Sequence, residues 1–134
     1  MFARLLEVEV PYHSVKMNPI EAELKLSLRA LSPQAPHTPL YSTALARRVT
    51  EPELDAEYWW RNVRHPVCFA DALAVALEDL AASSSPLFVE VGPHPVLATS
   101  IREVLASRGR TGTVVCSLHR RQPERATLLE ALGT

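Results

Sequence analysis

Alternating hydrophobic and polar residues predict the first strand of the chain at residues 6–10. In the segment LEVEV, the leucine and the two valines lie on one face and Glu7 and Glu9 on the other, which is the two-residue period of a half-exposed strand. Residues 87–91, LFVEV, are apolar enough for an inner strand of a sheet. Further strands are predicted at residues 40–43 and 113–118.

Apolar residues spaced three or four positions apart predict helices between these strands. Asn18 can cap the first helix, with Pro19 at its first helical position, and Asp55 can cap the second. Pro66 interrupts the second helix, and a longer helix follows from Val67 to Ala82.

Two more helices follow in the second half of the chain. Pro95 opens one of them and Gly109 is its natural C-terminal cap. The final helix carries Leu128, Leu129 and Leu132. The apolar stripes of the first, third and fourth helices are Ile20, Leu24, Leu28 and Leu31; Phe69, Leu73, Leu77 and Leu80; and Leu97, Ile101, Val104 and Leu105.

The alternation of strands and helices predicts an α/β fold with a mostly parallel sheet and flanking helices. A parallel sheet needs both faces and its edges covered by other elements. Because almost nothing precedes the first predicted strand, we expect this chain to be a piece of a larger fold.

Composition narrows the possible function classes. The chain has 134 residues, of which 47% are hydrophobic and 22% charged, with a net charge of -1. This balance is typical of one globular domain and argues against nucleic-acid or anionic-membrane partners. Charged residues within the first ten positions interrupt the apolar core that a signal peptide needs, so a cytoplasmic location is expected. Cys68 and Cys116 are expected to be free thiols rather than a disulfide.

Glycine is scarce, and its scarcity excludes several kinds of site. The chain has four glycines, the first of them Gly92, and it contains no G-x-G-x-x-G, Walker or G-x-S-x-G motif. Its sequence therefore supplies neither a nucleotide loop nor a glycine-framed nucleophile. The five histidines include no pair four residues apart and no C-x-x-C motif is present, so no metal site is expected.

His13 is the sharpest catalytic candidate in the chain. It follows the predicted strand 6–10 and precedes a predicted helix. This position lies at the C-terminal edge of an α/β sheet, which is where ligands bind. An imidazole there can act as a general base, while the simpler alternative is a loop histidine bonded to a backbone carbonyl. Ser14 is expected to cap or turn the chain rather than to serve as a nucleophile.

Three other groups are weaker candidates. The aromatic run at residues 58–60, with Arg61, could stack on a base, but packing between core and surface is the favoured interpretation. Arg120 and Arg121 could contact a phosphate or could simply be solvated. His94 lies in a proline-flanked loop that could shape a pocket.

Five phrases, taken in order, resemble the C-terminal part of the acyltransferase domain of type I modular polyketide synthases, relatives of the malonyl-CoA:acyl-carrier-protein transacylases. Each is moderately specific alone, but five in order, spread across nearly the whole chain, make a strong match. They are VPYHSVKMNP at 10–19, PLYST at 39–43, LDAEYWWRNVRHPVCFADAL at 54–73, LFVEVGPHPVL at 87–97 and CSLHRR at 116–121.

The resemblance implies a role for particular residues. His13 corresponds to the catalytic histidine, which deprotonates a serine and later protonates the leaving thiol. Asn62 falls where the family keeps an asparagine or glutamine whose carbonyl oxygen holds the imidazole. Val10, Pro11 and Tyr12 occupy the motif that selects the extender unit. They match neither the HAFH of malonyl-selective members nor the YASH of methylmalonyl-selective ones, and the bulk of Tyr12 favours malonyl.

The resemblance also implies which functional residues of the family's domain this chain does not contain. The G-H-S-x-G serine, the arginine for the malonyl carboxylate and the oxyanion-hole glutamine belong upstream in the family, so residues 1–134 would form a partial domain. They would complete the large α/β-hydrolase-like subdomain, with residues 1–10 a candidate closing strand of the ferredoxin-like small subdomain.

The implied reaction moves a malonyl-type group from CoA, through an acyl-serine, to the phosphopantetheine thiol of an acyl carrier protein. The implied substrates are acyl-CoA and that carried thiol, with no bound cofactor. The implied partners are the carrier protein, other synthase domains and the N-terminal part of the acyltransferase. This chain alone is expected to be inactive. The alternative is a non-catalytic truncated product, or a docking piece of a synthase.

Overall fold

The computed structural model describes residues 9–81 and 84–133. The chain divides into two compact units, Met1–Ala72 and Leu73–Thr134. The strand predicted at 6–10 lies mostly outside the described residues, and so does the candidate closing strand at 1–10. Glu9 and Val10 are described and form a bend.

The first unit combines short helices with a β-hairpin. Strands β1 and β2 pair antiparallel, with Leu40 opposite Val49 and Ser42 opposite Arg47. Met17, Val49 and Trp60 are buried in this unit. Its elements are a 3-10 helix (Val15–Ile20), α1 (Glu21–Ser27), β1 (Leu40–Ser42), β2 (Arg47–Val49) and α2 (Ala56–Arg64).

The first helix begins earlier than predicted, and its cap is a different residue. The Ser14 side chain accepts a hydrogen bond from the Lys16 N–H at 3.3 Å and caps the 3-10 helix, so the expectation for Ser14 is confirmed. Asn18, the predicted cap, lies inside that helix, and its side-chain oxygen accepts a bond from Arg64 instead of from a backbone N–H of the helix start. Pro19 is also inside the helix rather than at its first position.

The β1–β2 hairpin was not predicted. Its turn has no glycine, and Ala46 takes a left-handed conformation with φ 53°. The Ser42 hydroxyl accepts the N–H groups of Ala44 and Leu45, each at 3.2 Å, and replaces the usual turn chemistry.

The second unit is a strand–helix–strand arrangement with further helices. Strands β3 and β4 pair in parallel, with Leu87 opposite Thr113 and Glu90 opposite Cys116, and α4 connects them. Its core residues are Leu73, Ala74, Leu77, Ile101 and Leu105. The elements are β3 (Leu87–Glu90), α4 (Ala98–Ser107), β4 (Thr113–Cys116) and α5 (Glu124–Leu132), after α3 (Phe69–Glu78), which begins in the first unit.

Side-chain contacts set the ends of the helices in this unit. The Glu90 carboxylate accepts the N–H groups of Val96 and Leu97, at 2.7 and 3.0 Å, so α4 begins after them and not at Pro95 as predicted. Gly109 follows α4 with φ 61°, which confirms its predicted role as C-terminal cap. The Arg110 guanidinium donates to the Leu77 carbonyl at 3.1 Å, near the end of α3.

The predicted α/β class is confirmed, because helices flank a parallel strand pair in the second unit. The exposure of β3 differs from that of an inner strand. Leu87 and Val89 are exposed, and Val91, just beyond β3, is 84% exposed. The helix α5 buries Thr127 and leaves its three leucines exposed. Within the described residues, nothing covers these apolar side chains.

Candidate functional site

His13 lies in a tight turn of unusual backbone conformation. Its φ is 60°, in the left-handed region, where a residue other than glycine costs about 1–3 kcal/mol and persists only where its surroundings hold it. Two backbone carbonyl groups hold it. The His13 N–H donates to the Val63 carbonyl at 2.8 Å, and the ring Nδ1 lies 2.9 Å from the His65 carbonyl oxygen.

The second contact determines which ring nitrogen carries the proton. A carbonyl oxygen can only accept a hydrogen bond, so Nδ1 must be the N–H that donates to His65. In the neutral ring, Nε2 then holds a free lone pair. Because the His13 side chain is exposed, this lone pair can accept a proton from a group brought to it.

The two carbonyl groups are available because of where α2 ends. The last carbonyls of a helix have no partner within the helix, and Val63 supplies one of them. Pro66 prevents continuation of the helix, and its preceding residue, His65, is extended with φ -94° and ψ 161°. The end of α2 therefore presents two acceptors to one histidine.

The start of α2 is equally well defined. The Asp55 side chain accepts the Tyr58 N–H at 2.9 Å, which confirms the predicted cap. Trp60 on the same helix is buried. The end of α2 that contacts His13 thus belongs to a helix whose start is capped by Asp55 and which is held in the core by Trp60.

We expect Asp55→Ala to lower the free energy of unfolding by about 1 kcal/mol, because the first turn of α2 loses its side-chain acceptor. Urea unfolding followed by circular dichroism measures this change. Asp55→Asn is the matched control, since asparagine caps equally well and should leave stability nearly unchanged. Equal losses for the two variants would show that the cap does not stabilise α2.

Asn62 lies half-buried on α2, three residues before His65. The oxygen bonded to Nδ1 belongs to the His65 backbone and not to the Asn62 side chain. The role of Asn62 itself stays a prediction. Sequence reasoning missed His65, although one signal was available, because a residue between a helix end and a proline has a carbonyl with no helical partner.

The three residues predicted to form the selectivity motif, Val10, Pro11 and Tyr12, precede His13 directly. All three are exposed, with Tyr12 at 56%. The Tyr12 ring centroid lies 6.3 Å from that of His13, at an interplanar angle of 48°. The Pro11 carbonyl accepts the Ser14 hydroxyl at 2.7 Å, while Tyr12 donates its N–H to Val10 at 2.9 Å. Tyr12 therefore stands beside the imidazole.

The aromatic run is divided between interior and surface, as the packing interpretation predicted. Trp60 is buried, Trp59 is 41% exposed, and the half-buried Tyr58 shares a 3.0 Å hydrogen bond with the Ser42 hydroxyl. Tyr58 and Trp59 meet edge to face at 5.2 Å.

Ion pairs tie α2 and β2 to neighbouring segments. The Lys25 ammonium lies 2.7 Å from Glu21 and 2.6 Å from Glu57, and its hydrogen bonds to these two carboxylates, Glu21 first, raise the pKa of Lys25. The hydrogen bond from Arg47 to Glu53 likewise raises the pKa of Arg47. The Lys25–Glu57 pair joins α1 to α2.

The remaining candidates lie in the second unit, beyond the carboxyl ends of β3 and β4. The rings of His94 and His119 meet edge to face at 4.5 Å. The Arg120 N–H approaches His94 Nδ1 at 3.4 Å, and Arg121 has φ 66°. Both arginine side chains are exposed. The loop of His94 is thus held by contacts with the loop that follows β4.

The described residues contain neither a metal-binding cluster nor a helix that could span a membrane. Within residues 9–81 and 84–133, no group of three or more histidine, cysteine, aspartate or glutamate side chains is arranged to hold a metal ion. Within the same ranges, no helix has the length and apolar character needed to cross a membrane.

Comparison with known proteins gives a consistent result. The family model described as "Acyl transferase domain" matches residues 1–134. The chain is 43% identical, over 80% of its length, to pikromycin polyketide synthase component PikAIII of Streptomyces venezuelae. It is 36% identical, over 92% of its length, to the phthioceranic/hydroxyphthioceranic acid synthase of Mycobacterium tuberculosis.

Solved structures agree with these sequence matches. The acyltransferase domain from module 8 of the salinomycin polyketide synthase superposes with a TM-score of 0.86 at 32% identity. That match covers 96% of this chain and 30% of the solved domain. The chain spans 7% of PikAIII and 6% of the mycobacterial synthase, so it is similar to a small part of each relative.

Proposed function

This chain belongs to the acyl transferase domain family, and we propose that it supplies the general-base part of a polyketide synthase acyltransferase. The observation that carries the proposal is the hydrogen bond from His13 Nδ1 to the His65 carbonyl, which leaves Nε2 free and exposed. A second polypeptide segment must bring the nucleophilic serine, because the sequence holds no G-x-S-x-G motif.

The proposed reaction has two half-reactions, and His13 Nε2 moves a proton in each. In the first, Nε2 takes the serine hydroxyl proton as the serine oxygen attacks the thioester carbonyl of malonyl-CoA. The carbon–sulfur bond then breaks and the CoA sulfur leaves with that proton. In the second, Nε2 takes the proton of the phosphopantetheine thiol, the thiolate attacks the ester, and serine leaves with the proton.

The left-handed turn and the end of α2 support this role. Proton transfer requires a base whose lone pair keeps one direction, and two carbonyl groups fix the backbone and the ring of His13. As the resemblance implies, Asn62 is proposed to help hold the imidazole through its side-chain carbonyl oxygen.

The substrate proposed is malonyl-CoA rather than a branched analogue, because the Tyr12 ring stands beside His13. An α-methyl group on the acyl chain would compete for this space. We expect Tyr12→Ala, in a complete domain, to raise the ratio of methylmalonyl to malonyl transfer by roughly tenfold or more. Competition between the two CoA thioesters, with products counted by mass spectrometry, measures the ratio.

Val15→Ala is the matched control for that competition, since Val15 is exposed and lies on the other side of His13 in the sequence. It should leave the ratio unchanged. A ratio that does not respond to Tyr12→Ala, with overall transfer intact, would remove Tyr12 from the selectivity motif.

The exposed apolar residues of the second unit favour the presence of a further polypeptide segment that covers them in the complete domain. Leu87, Val89 and Val91 form an uncovered patch on and after β3, and strands of a parallel sheet are normally covered on both faces. The same patch would serve the alternative function, a non-catalytic docking piece. The two functions differ in whether transfer follows once that segment is present.

The test joins this chain to the upstream segment of an acyl transferase domain that carries G-H-S-x-G, as one fused polypeptide. Incubation with malonyl-CoA should give a serine-bound malonyl group detectable by mass spectrometry, whereas the chain alone should give none. The docking alternative predicts a folded fusion without the acyl-serine. Acylation of the chain alone would contradict the proposed division of the site.

A further inference from the structure

A third contact joins the two segments that meet at His13. The Arg64 Nε–H donates to the Asn18 side-chain oxygen at 2.6 Å, across 46 positions of sequence. Arg64 is the last residue of α2, between the two residues whose carbonyls hold His13. The side chains of Arg64 and Asn18 thus connect the same two segments as the backbone contacts.

The segment from His13 to Asn18 is stiff enough to transmit this contact. Ser14 caps the 3-10 helix that contains Asn18, and the Met17 N–H donates to the Ser14 carbonyl at 3.1 Å. Met17 is buried at 5% exposure, which anchors the helix. Because the cap and this backbone bond span the residues between His13 and Asn18, we expect a displacement of Asn18 to move the turn at His13 as well.

The contact has the character of a strong directional restraint. The donor belongs to a guanidinium, and a hydrogen bond from a charged donor is shorter and stronger than a neutral one. Arg64 is half-buried and Asn18 is exposed, so the strength of the bond comes from the charge of its donor and its 2.6 Å length rather than from exclusion of water. The left-handed turn at His13 depends on its surroundings to persist.

We propose that Arg64 and Asn18 form a clamp that keeps His13 Nδ1 on the His65 carbonyl and so directs Nε2 outward as the base. Both are positioning residues, because neither contacts the ring itself among the contacts described. This inference rests on the proposed function for its purpose, but its structural content concerns the orientation and tautomer of one imidazole.

The test measures the tautomer of His13 by nitrogen NMR on this chain, at a pH where the ring is neutral. Wild type should show the Nδ1–H form. Arg64→Ala should show a mixture of the two tautomers, because the turn no longer holds the ring on one acceptor. Asn18→Leu, which keeps the size and removes the acceptor, should give the same mixture. Asn18→Asp keeps the acceptor and should retain the wild-type spectrum.

Arg61→Ala is the matched control, since Arg61 lies one turn earlier on α2 and is exposed. It should leave the tautomer unchanged. The double variant Arg64→Ala with Asn18→Leu should add nothing to either single variant, because the two residues act through one bond. Urea unfolding of each variant identifies conditions in which that variant is folded, and its NMR spectrum is recorded under those conditions.

In the complete fused domain, Arg64→Ala should lower kcat roughly tenfold or more with little change in KM, because it misdirects the base and not the substrate. A single unchanged tautomer in folded Arg64→Ala protein, or additive effects of the two substitutions, would overturn the clamp. These outcomes leave the proposed function untouched. Full activity of a His13→Ala domain would instead refute the proposed function without bearing on the tautomer.

Discussion

Replacing His13 with alanine in the fused domain should slow acyl-serine formation about 10³-fold, within the range that general-base catalysis contributes. The serine would keep its proton, since Nε2 is the proposed acceptor and the His65 carbonyl only orients the ring. Rapid quenching followed by mass spectrometry of the acylated protein measures the rate of this step directly.

His37→Ala is the matched control for that experiment. His37 is also exposed, and it lies in the proline-rich loop between α1 and β1. This substitution should leave the rate of acylation unchanged. If the two variants lost activity equally, or if neither did, the imidazole of His13 would not be the base.

The largest expected effect on stability comes from Leu77→Ala. Leu77 lies on α3 at 2% exposure, and it is the largest of the most deeply buried side chains of the described residues. Truncation removes buried methyl groups and leaves a cavity, so the free energy of unfolding should fall by about 2–5 kcal/mol. Urea unfolding monitored by circular dichroism measures the difference.

Leu80→Ala provides the comparison, since Leu80 belongs to the same predicted stripe but is 43% exposed. Its loss should cost less than about 1 kcal/mol. The stripe predicted from spacing treats both leucines alike, whereas the structure separates them, because α3 ends at Glu78 before reaching Leu80. If the two substitutions lowered the free energy of unfolding equally, the difference in burial between Leu77 and Leu80 would not determine their contributions to stability.

Local chemistry explains which parts of the fold could be predicted from the sequence. Asp55 caps α2 and Gly109 closes α4 with a positive φ, and both depend only on neighbouring backbone groups. The strands β3 and β4 were likewise visible as short apolar runs. These features are encoded within a few residues, so spacing and residue type suffice to find them.

Tertiary contacts explain the parts that could not be predicted. The start of α4 depends on the Glu90 carboxylate from β3, and the environment of Asn18 depends on Arg64 from α2. Ala46 in the hairpin has a left-handed conformation, but an alanine does not indicate such a turn as a glycine would. In each case the deciding partner is distant in sequence or absent from the usual turn patterns.

The candidate site shows the same division. His13 could be selected from its place after a predicted strand, and the resemblance in its motif gave it a role. The identity of the oxygen at Nδ1 required the fold, because His65 is 52 residues away and contributes only its backbone. Side-chain motifs do not reveal backbone acceptors of this kind.

A crystal structure of the fused domain would give the distance from His13 Nε2 to the hydroxyl oxygen of the G-H-S-x-G serine. If His13 is the base, these atoms should lie within hydrogen-bond reach, about 2.6–3.2 Å, or be joined through one water molecule. A serine hydroxyl bonded to a different base, with the His13 ring turned away from it, would show that His13 does not take the proton.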